Sequence, residues 1–260
     1  MTDSPSNAGP APQVGVRDLR VTFGRTIAVA DVSVEVAPGV TGVLGPNGAG
    51  KTSLLRVLAT DLRPQRGKVQ FDGRPVDSRR TVRHYRRAVG FLPQRPDWHK
   101  WMTVREAVAY FAWLRAVPRN ARSEAVGNSI EMVGLSRRAE NRLGELSGGM
   151  FQRAMLATTL VHQPEVLILD EPTAGLDPVQ RHQFREIVRL RPASSVTLIS
   201  THVFEDVTNL ATNIVVMHDG RLPFTGTIRE FTDQLNPDGG SSAEALEAAY
   251  LRFVGTDDVG

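Results

Sequence analysis

The chain has 260 residues, 41% hydrophobic and 23% charged, the composition of a soluble globular protein with room for one large domain or two small ones. A formal net charge of +3 gives no reason to expect a nucleic-acid partner, and the absence of cysteine excludes disulfides, thiol catalysis and cysteine-ligated zinc or iron–sulfur centres. No stretch approaches the ~20 apolar residues needed to cross a bilayer, so work at a membrane requires a second chain to span it.

Residues 1–13 lack the basic and apolar segments of a signal peptide and read as a disordered tail. From Val14 to Val36, short alternating apolar runs predict antiparallel strands, with Phe23-Gly24 between them. The Phe23 ring either stacks on a nucleobase or packs at a hairpin. Gly39 to Leu44 is too apolar for a loop and predicts a short buried strand.

The next residues, Gly45-Pro46-Asn47-Gly48-Ala49-Gly50-Lys51-Thr52, fit the phosphate-loop pattern G-x-x-x-x-G-K-[ST] at every position. Glycines let backbone N–H groups close on an anion, and the helix expected from Lys51 and Thr52 through Ser53 points its unpaired N–H groups at the same place. Lys51 adds a mobile charge for β- and γ-phosphates, and the Thr52 hydroxyl can ligate Mg²⁺. Strand, glycine loop and helix occur in the required order. The chain is expected to bind a nucleoside triphosphate.

Gly67 to Gly73 predicts an edge strand and turn, and the basic run from Arg79 to Arg87 reads as a solvated helix face. Ala88 to Leu92 predicts a strand ending at Pro93-Gln94, which puts a polar side chain where it can touch ligand, ion or water. Helices follow. Thr103 and Glu106 have capping-box form ahead of Val104, Ala107, Val108, Phe111 and Leu114, and Pro118 is expected to close that helix. A second helix is predicted from about Ser123, with Val126, Ile130 and Val133 inward and Gly134 as its stop. Trp98 and Trp101 are either anchors for a partner or part of the packing of this block.

Ser147-Gly148-Gly149 opens the next helix; the serine is a natural N-cap, and the exposed N–H groups equally make a second anion site. Val166 to Leu169 predicts a strand buried on both faces, with Asp170-Glu171 at its carboxyl end, where open α/β sheets place their ligands. One carboxylate can hold Mg²⁺ and the other can orient an attacking water. A loop with Asp177, a buried strand from Val196 to Ser200 ending beside His202, and a strand with its return hairpin near Gly220 complete the sheet. Beyond Asn236 a linker leads to a short helix with Leu246, Tyr250 and Phe253 on one face, docked on the body or on a second copy.

Taken together, the phosphate loop, Gln94, Leu146-Ser147-Gly148-Gly149, Asp170-Glu171, Asp177 and His202 resemble the motif set of ATP-binding-cassette (ABC) ATPases, in their order and spacing, over about residues 14–232. The resemblance implies an α/β fold: a RecA-like P-loop NTPase core (residues 14–92 and 159–235), an antiparallel β subdomain, and an inserted α-helical subdomain (residues 93–158), followed by the linker and helix of residues 236–260. It implies a head-to-tail homodimer with ATP between the phosphate loop of one copy and Ser147-Gly148-Gly149 of the other. Phe23 then corresponds to the adenine-stacking aromatic, and Gln94 to the glutamine that senses γ-phosphate, Mg²⁺ and the transporter contact. By the same resemblance Glu171 polarises the hydrolytic water, His202 is the switch histidine and the Asp177 loop crosses the dimer interface. Met150 departs from the pattern, standing where glutamine is usual; the serine and glycines that contact phosphate remain.

The family implies a Mg²⁺-dependent ATPase subunit on the cytoplasmic face of a membrane, attached only through a transmembrane permease. Several segments resemble the drug- and antibiotic-export branch more than importers. A soluble ABC ATPase without a transport role is the alternative; neither the tandem cassettes nor the long coiled-coil insertion of such proteins is present.

Overall fold

In the computed structural model, which describes residues 12–235 and 242–257, the chain is built on two sheets and the helices between and beside them. The antiparallel sheet contains β1 (Val14–Phe23), β2 (Thr26–Val36), β4 (Arg66–Phe71) and the two-residue β5 (Arg74–Pro75), in the order β2-β1-β4-β5. The edge position expected for the strand after Gly67 therefore falls to β5, which the Asp72-Gly73 turn folds back onto β4.

The second sheet contains β3 (Gly39–Leu44), β6 (Val89–Leu92), β7 (Val166–Asp170), β8 (Val196–Ser200), β9 (Asn213–His218) and β10 (Arg221–Thr227), in the order β10-β9-β3-β8-β7-β6. All its pairings are parallel except β9 with β10. Every residue of β7 and β8 is buried, which is why β7 reads as an unbroken apolar run over Val166–Leu169 and β8 as one interrupted only by Thr197 before Ser200. The period-two alternation survives inside them. Val166 and Ile168 face a core shared with the antiparallel sheet, whereas Leu167 and Leu169 face a core shared with the helical block. The register sets Val43 and Asp170 both opposite Ser200, and Leu92 opposite Leu169. The carboxyl ends of β3, β6, β7 and β8 thus share one edge, and the expected site residues follow directly from them.

Helix α1 (Lys51–Leu58) buries Leu54, Leu55, Val57 and Leu58 in the first core, with α2 (Arg79–Ala88) beside it. The basic residues of α2 are exposed as expected; Tyr85, on its inner face, is fully buried and donates to the Leu58 carbonyl at 2.8 Å. Burial pushes that phenol's pKa up. Helix α3 (Val104–Leu114) starts at a Thr103–Glu106 capping box and buries Val104, Ala107, Val108 and Ala112. Leu114, expected inward, is 52% exposed, because the buried stripe passes through Ala112.

Helix α4 (Arg119–Met132) begins about one turn earlier than its apolar stripe suggests. Pro118 does not close α3; it is the N-cap of α4, and α3 has already ended before Ala116, whose φ is +60°. Val126, Ile130 and Val133 are buried, and Gly134 follows with a φ of +68°. Helix α5 (Gly148–Leu160) carries Met155, Leu156 and Leu160 into the second core.

Three further helices, α6 (Pro178–Arg189), α7 (Phe204–Leu210) and α8 (Ile228–Leu235), flank the sheet. The last, α9 (Ala243–Asp257), docks on its own chain: Leu246 and Ala249 are fully buried in a third core with Val207, Ile228 and Phe231. Apart from residues 12 and 13, the expected N-terminal tail lies outside the described residues, as does the linker over residues 236–241. No helix among the described residues is long and apolar enough to cross a membrane.

Candidate nucleotide site

The loop between β3 and α1 is a backbone cradle fixed from behind. Gly50 has a φ of +102°, and a Cβ there would overlap the Ala28 carbonyl of β2; only glycine fits. The Ala49 carbonyl accepts from the Gly220 N–H at 3.1 Å, and the Gly220 carbonyl accepts from Ala30 N–H at 2.8 Å. Both sheets therefore hold the loop. Gly50 caps α1 without a side chain, so the first-turn N–H groups stay available to an anion. Lys51 Nζ donates to the carbonyls of Gly45 (2.6 Å) and Pro46 (3.0 Å). Burial lowers the Lys51 pKa, while Glu171 and Asp170 nearby oppose the shift. Thr52 is exposed and Ser53 half-buried on the first turn.

At the end of β7, Asp170 is 1% exposed and its Oδ1 accepts from Ser200 Oγ at 2.6 Å. Its Oδ2 is buried without a hydrogen-bond partner. Glu171 has a φ of +47°, a sparsely populated conformation for a residue with a side chain. Its N–H donates to both Ser200 Oγ (2.9 Å) and the Ser200 carbonyl (3.1 Å), and its Oε2 lies 2.8 Å from His202 Nδ1. An ionised carboxylate only accepts, so Nδ1 of His202 carries the proton in this pair. His202 is otherwise open, with 65% of its side chain exposed, whereas Glu171 is buried.

The remaining expected residues make no hydrogen bond to this centre among the described residues. Gln94 is exposed in the bend two residues past Leu92, at the same sheet edge as Asp170. Phe23 is 51% exposed at the tip of the β1–β2 hairpin. Ser147 caps α5, its Oγ accepting from Met150 N–H at 3.4 Å, and Gly148 is exposed beside it. Gly149 is buried under the Gln180 side chain. Asp177 caps α6 through Oδ1, which accepts from Gln180 N–H at 2.8 Å. The fold thus brings Lys51, Asp170, Glu171 and His202 to one place, and leaves Ser147, Gly148 and Asp177 exposed at the starts of α5 and α6.

Five contributing residues, in three groups, escape the sequence reading. Ser200 serves both carboxylate residues at once. Thr173, two residues past Glu171, donates to the buried Asp206 Oδ2 at 2.7 Å, and Arg185 pairs with Asp206 Oδ1 at 3.3 Å. Gln152 donates to the Pro172 carbonyl at 3.1 Å. The only local signal is the polar residue ending an apolar strand, as at Ser200.

A family model for ABC transporter matches residues 29–174, more than half of the chain. The uncharacterized ABC transporter ATP-binding protein YxlF of Bacillus subtilis (strain 168) is 37% identical over 223 residues, 85% of this chain and 73% of that one. The Nod factor export ATP-binding protein I of Burkholderia lata is 39% identical over 214 residues, 82% of this chain and 70% of that one. Among solved structures, cbiO1 from Clostridium perfringens, part of the ABC transporter complex cbiONQ, aligns with a TM-score of 0.71 at 28% identity, over 86% of this chain and 95% of that one. With the glycine cradle, the carboxylate pair and the parallel sheet already in place, these likenesses settle the assignment: the chain belongs to the ABC transporter family, as an ATP-binding subunit.

Proposed function

We propose that the chain is the Mg²⁺-dependent ATPase of an exporter, working as a head-to-tail pair on the cytoplasmic face beneath a separate membrane-spanning permease. The observation that carries the hydrolytic reading is the Glu171–His202 couple, set beside Lys51 at the carboxyl edge of the parallel sheet. Lys51 exchanges its two carbonyl partners for the β- and γ-phosphates, which answer an ammonium better than a neutral carbonyl does. Glu171 accepts a proton from the attacking water, and His202 holds that carboxylate in position while sharing the γ-phosphate charge. Phe23 stacks on adenine, worth about 1–3 kcal/mol. Ser147, Gly148 and Gly149 of the second copy close over the triphosphate, the first two as the exposed tip of the helix, and Asp177 lies along the seam between copies.

For the cation, the buried and unpartnered Oδ2 of Asp170 is the supporting observation. Among the described residues no cluster of three or more His, Cys, Asp or Glu side chains exists to cage a metal. An ion held by Thr52, Gln94 and Asp170 together with phosphate oxygens and water suits Mg²⁺, which keeps much of its hydration. When bound, it would supply positive charge to offset the charge of the β- and γ-phosphates.

Export as the direction is supported by the Nod factor export relative. A cavity of about 810 Å³ opens between α2, the end of β6 and α3, close to Gln94. Its apolar floor includes Phe91, Leu92, Trp98 and Phe111, and arginines of α2 wall it, which suits a short amphipathic segment of the permease.

The test is Glu171→Gln. Nucleotide binding should persist, turnover should fall about 10²- to 10⁴-fold, and an ATP-bound pair should accumulate. Wild-type turnover in that variant would remove Glu171 from the chemistry. Lys51→Ala should instead abolish nucleotide binding, measured with a fluorescent ATP analogue; unchanged affinity would count against the cradle.

A further inference from the structure

The loop that follows the carboxylate pair is tied at both ends to one helix. At its start, Gln152 Nε2 of α5 donates to the Pro172 carbonyl at 3.1 Å; a carbonyl only accepts, so the amide nitrogen must face it. At its far end, the side chain of Gln180 lies so close over Gly149 that a Cβ there would overlap its amide group. Gln180 is in turn bound to Asp177: its N–H donates to Asp177 Oδ1 at 2.8 Å, and its Oε1 accepts from Asp177 N–H at 3.4 Å. Residues 171–180 are therefore laid along the first two turns of α5.

Glu171 needs such support. A side-chain-bearing residue with a φ of +47° persists only when its surroundings over-determine it. Ser200 fixes its N–H from the sheet side. On the carboxyl side, the hydrogen bond from Gln152 fixes the second peptide on, between Pro172 and Thr173, with only the rigid proline ring between it and Glu171.

We infer that Gln152 is a positioning residue that couples the Ser147–Gly149 helix tip to Glu171, so that closure of the tip on one nucleotide sets the turnover of another. The inference rests on the paired-copy reading above. In that pair, the tip of α5 faces the triphosphate held by the second copy, whereas Glu171 serves the triphosphate on its own loop. Within each chain the two sites are then joined by little more than one helical turn and one hydrogen bond. The bond is short and directional, so a shift of α5 either carries Pro172 with it or breaks the contact. Either outcome alters the backbone that aims Glu171. Occupancy of both sites should therefore raise the turnover of each, and hydrolysis should be sigmoidal in ATP.

The experiment uses the purified full chain with ATP and Mg²⁺. Initial rates are measured across ATP concentration, binding is measured with a fluorescent ATP analogue, and pairing is followed by light scattering. Gln152→Glu keeps the side-chain shape but offers only oxygens to the Pro172 carbonyl. Gln152→Lys offers a donor again on a longer stem. For Gln152→Glu, turnover should fall about tenfold and the Hill coefficient should drop towards 1, with analogue binding retained. Gln152→Lys should recover cooperativity.

Wild-type turnover and cooperativity in Gln152→Glu overturn the inference. So does equal loss of cooperativity in both variants while each still binds the analogue, because a purely packing role would then explain the result. If Gln152→Glu does not fold, Gln152→Lys decides alone: cooperative hydrolysis supports the coupling, and a folded, nucleotide-binding but non-cooperative enzyme sinks it. A wild-type chain that neither pairs nor responds sigmoidally removes the paired-copy reading and the coupling with it. A pairing, cooperative wild type alongside an equally cooperative Gln152→Glu removes the coupling only.

Discussion

The hydroxyl of Ser200 donates to Asp170 Oδ1 at 2.6 Å and accepts from the Glu171 N–H at 2.9 Å, so one buried atom orients both acidic residues. Replacing it with alanine leaves Asp170 with both oxygens unpaired in a fully buried setting. Ser200→Ala should cost about 1–3 kcal/mol of stability, measured by urea unfolding, and should lower ATP turnover more than ATP binding. A second residue reports through pH. His162, two residues past the end of α5, has its Nε2 3.1 Å from the Val89 carbonyl. Burial, with help from the Arg115 and Arg191 charges, lowers its pKa from 6.5 to about 4. Between those values the unfolded chain takes up a proton that the folded chain refuses. Stability contributed here is complete above about pH 6.5 and is lost progressively as pH falls towards 4, by about 3 kcal/mol over the whole window. His162→Gln should flatten that slope in urea midpoints taken across the window, and an unchanged slope would assign the acid sensitivity elsewhere.

At the scale of elements, α9 shows how the last helix stabilises a structure close to the site. Leu246 and Ala249 are fully buried, the Tyr250 ring lies 5.3 Å from Phe204, and the Phe253 ring lies 5.8 Å from Phe231. Phe204 begins α7 two residues after His202, so α9 backs the element that carries the histidine. Leu246→Ala should cost about 2–5 kcal/mol, measured by denaturant unfolding, because the cavity would sit in a core with few mobile side chains to refill it. The docking of this helix could not be read from its stripe, since an apolar face names no partner. Other elements were readable in proportion to how local their signals are. Strand β7 stands out because burial on both faces leaves an unbroken apolar run, and β3 and β8 because theirs are interrupted only by small residues such as Thr41 and Thr197. The start of α4 is hidden because Arg119 to Arg122 carry no apolar stripe and Pro118 can either end one helix or begin the next. Helix α6 was signalled by Asp177-Pro178, a cap followed by a proline at the first helical position, yet the same residues also read as a loop. The phosphate loop and the carboxylate pair are contiguous and legible. Ser200, Gln152 and the Thr173–Asp206–Arg185 group act across separations of 20 to 33 residues, which only the paired strands and packed helices reveal.

For the whole molecule, a net charge of +3 conceals an uneven distribution. Arg79, Arg83, Arg86 and Arg87 of α2 and Arg115 after α3 converge on the cavity beside Gln94. Arg115 Nη1 donates to the Arg86 carbonyl at 2.6 Å, and burial together with the Arg86 charge lowers its pKa. No acidic residue forms an ion pair with any of these five arginines among the described residues. Asp61, which pairs with Arg56, and Asp97 also line the cavity, so the five arginines leave its wall with a positive excess over an apolar floor that includes Trp98 and Phe111. A partner segment with carboxylates flanking an apolar face answers both features, the charges steering the encounter and the floor supplying contact area. Arg83→Glu combined with Arg87→Glu should slow association with the membrane chain by about tenfold or more at low ionic strength, with the difference shrinking as salt screens the field. ATP hydrolysis by the chain alone should be unchanged, because both arginines lie outside the Lys51–Glu171–His202 centre. Association kinetics with detergent-solubilised permease measure the first effect, and a phosphate-release assay measures the second. Equal association rates for the two proteins at low salt would mean that the arginine wall contributes nothing to permease capture and that the groove's occupant is recognised through its apolar floor alone.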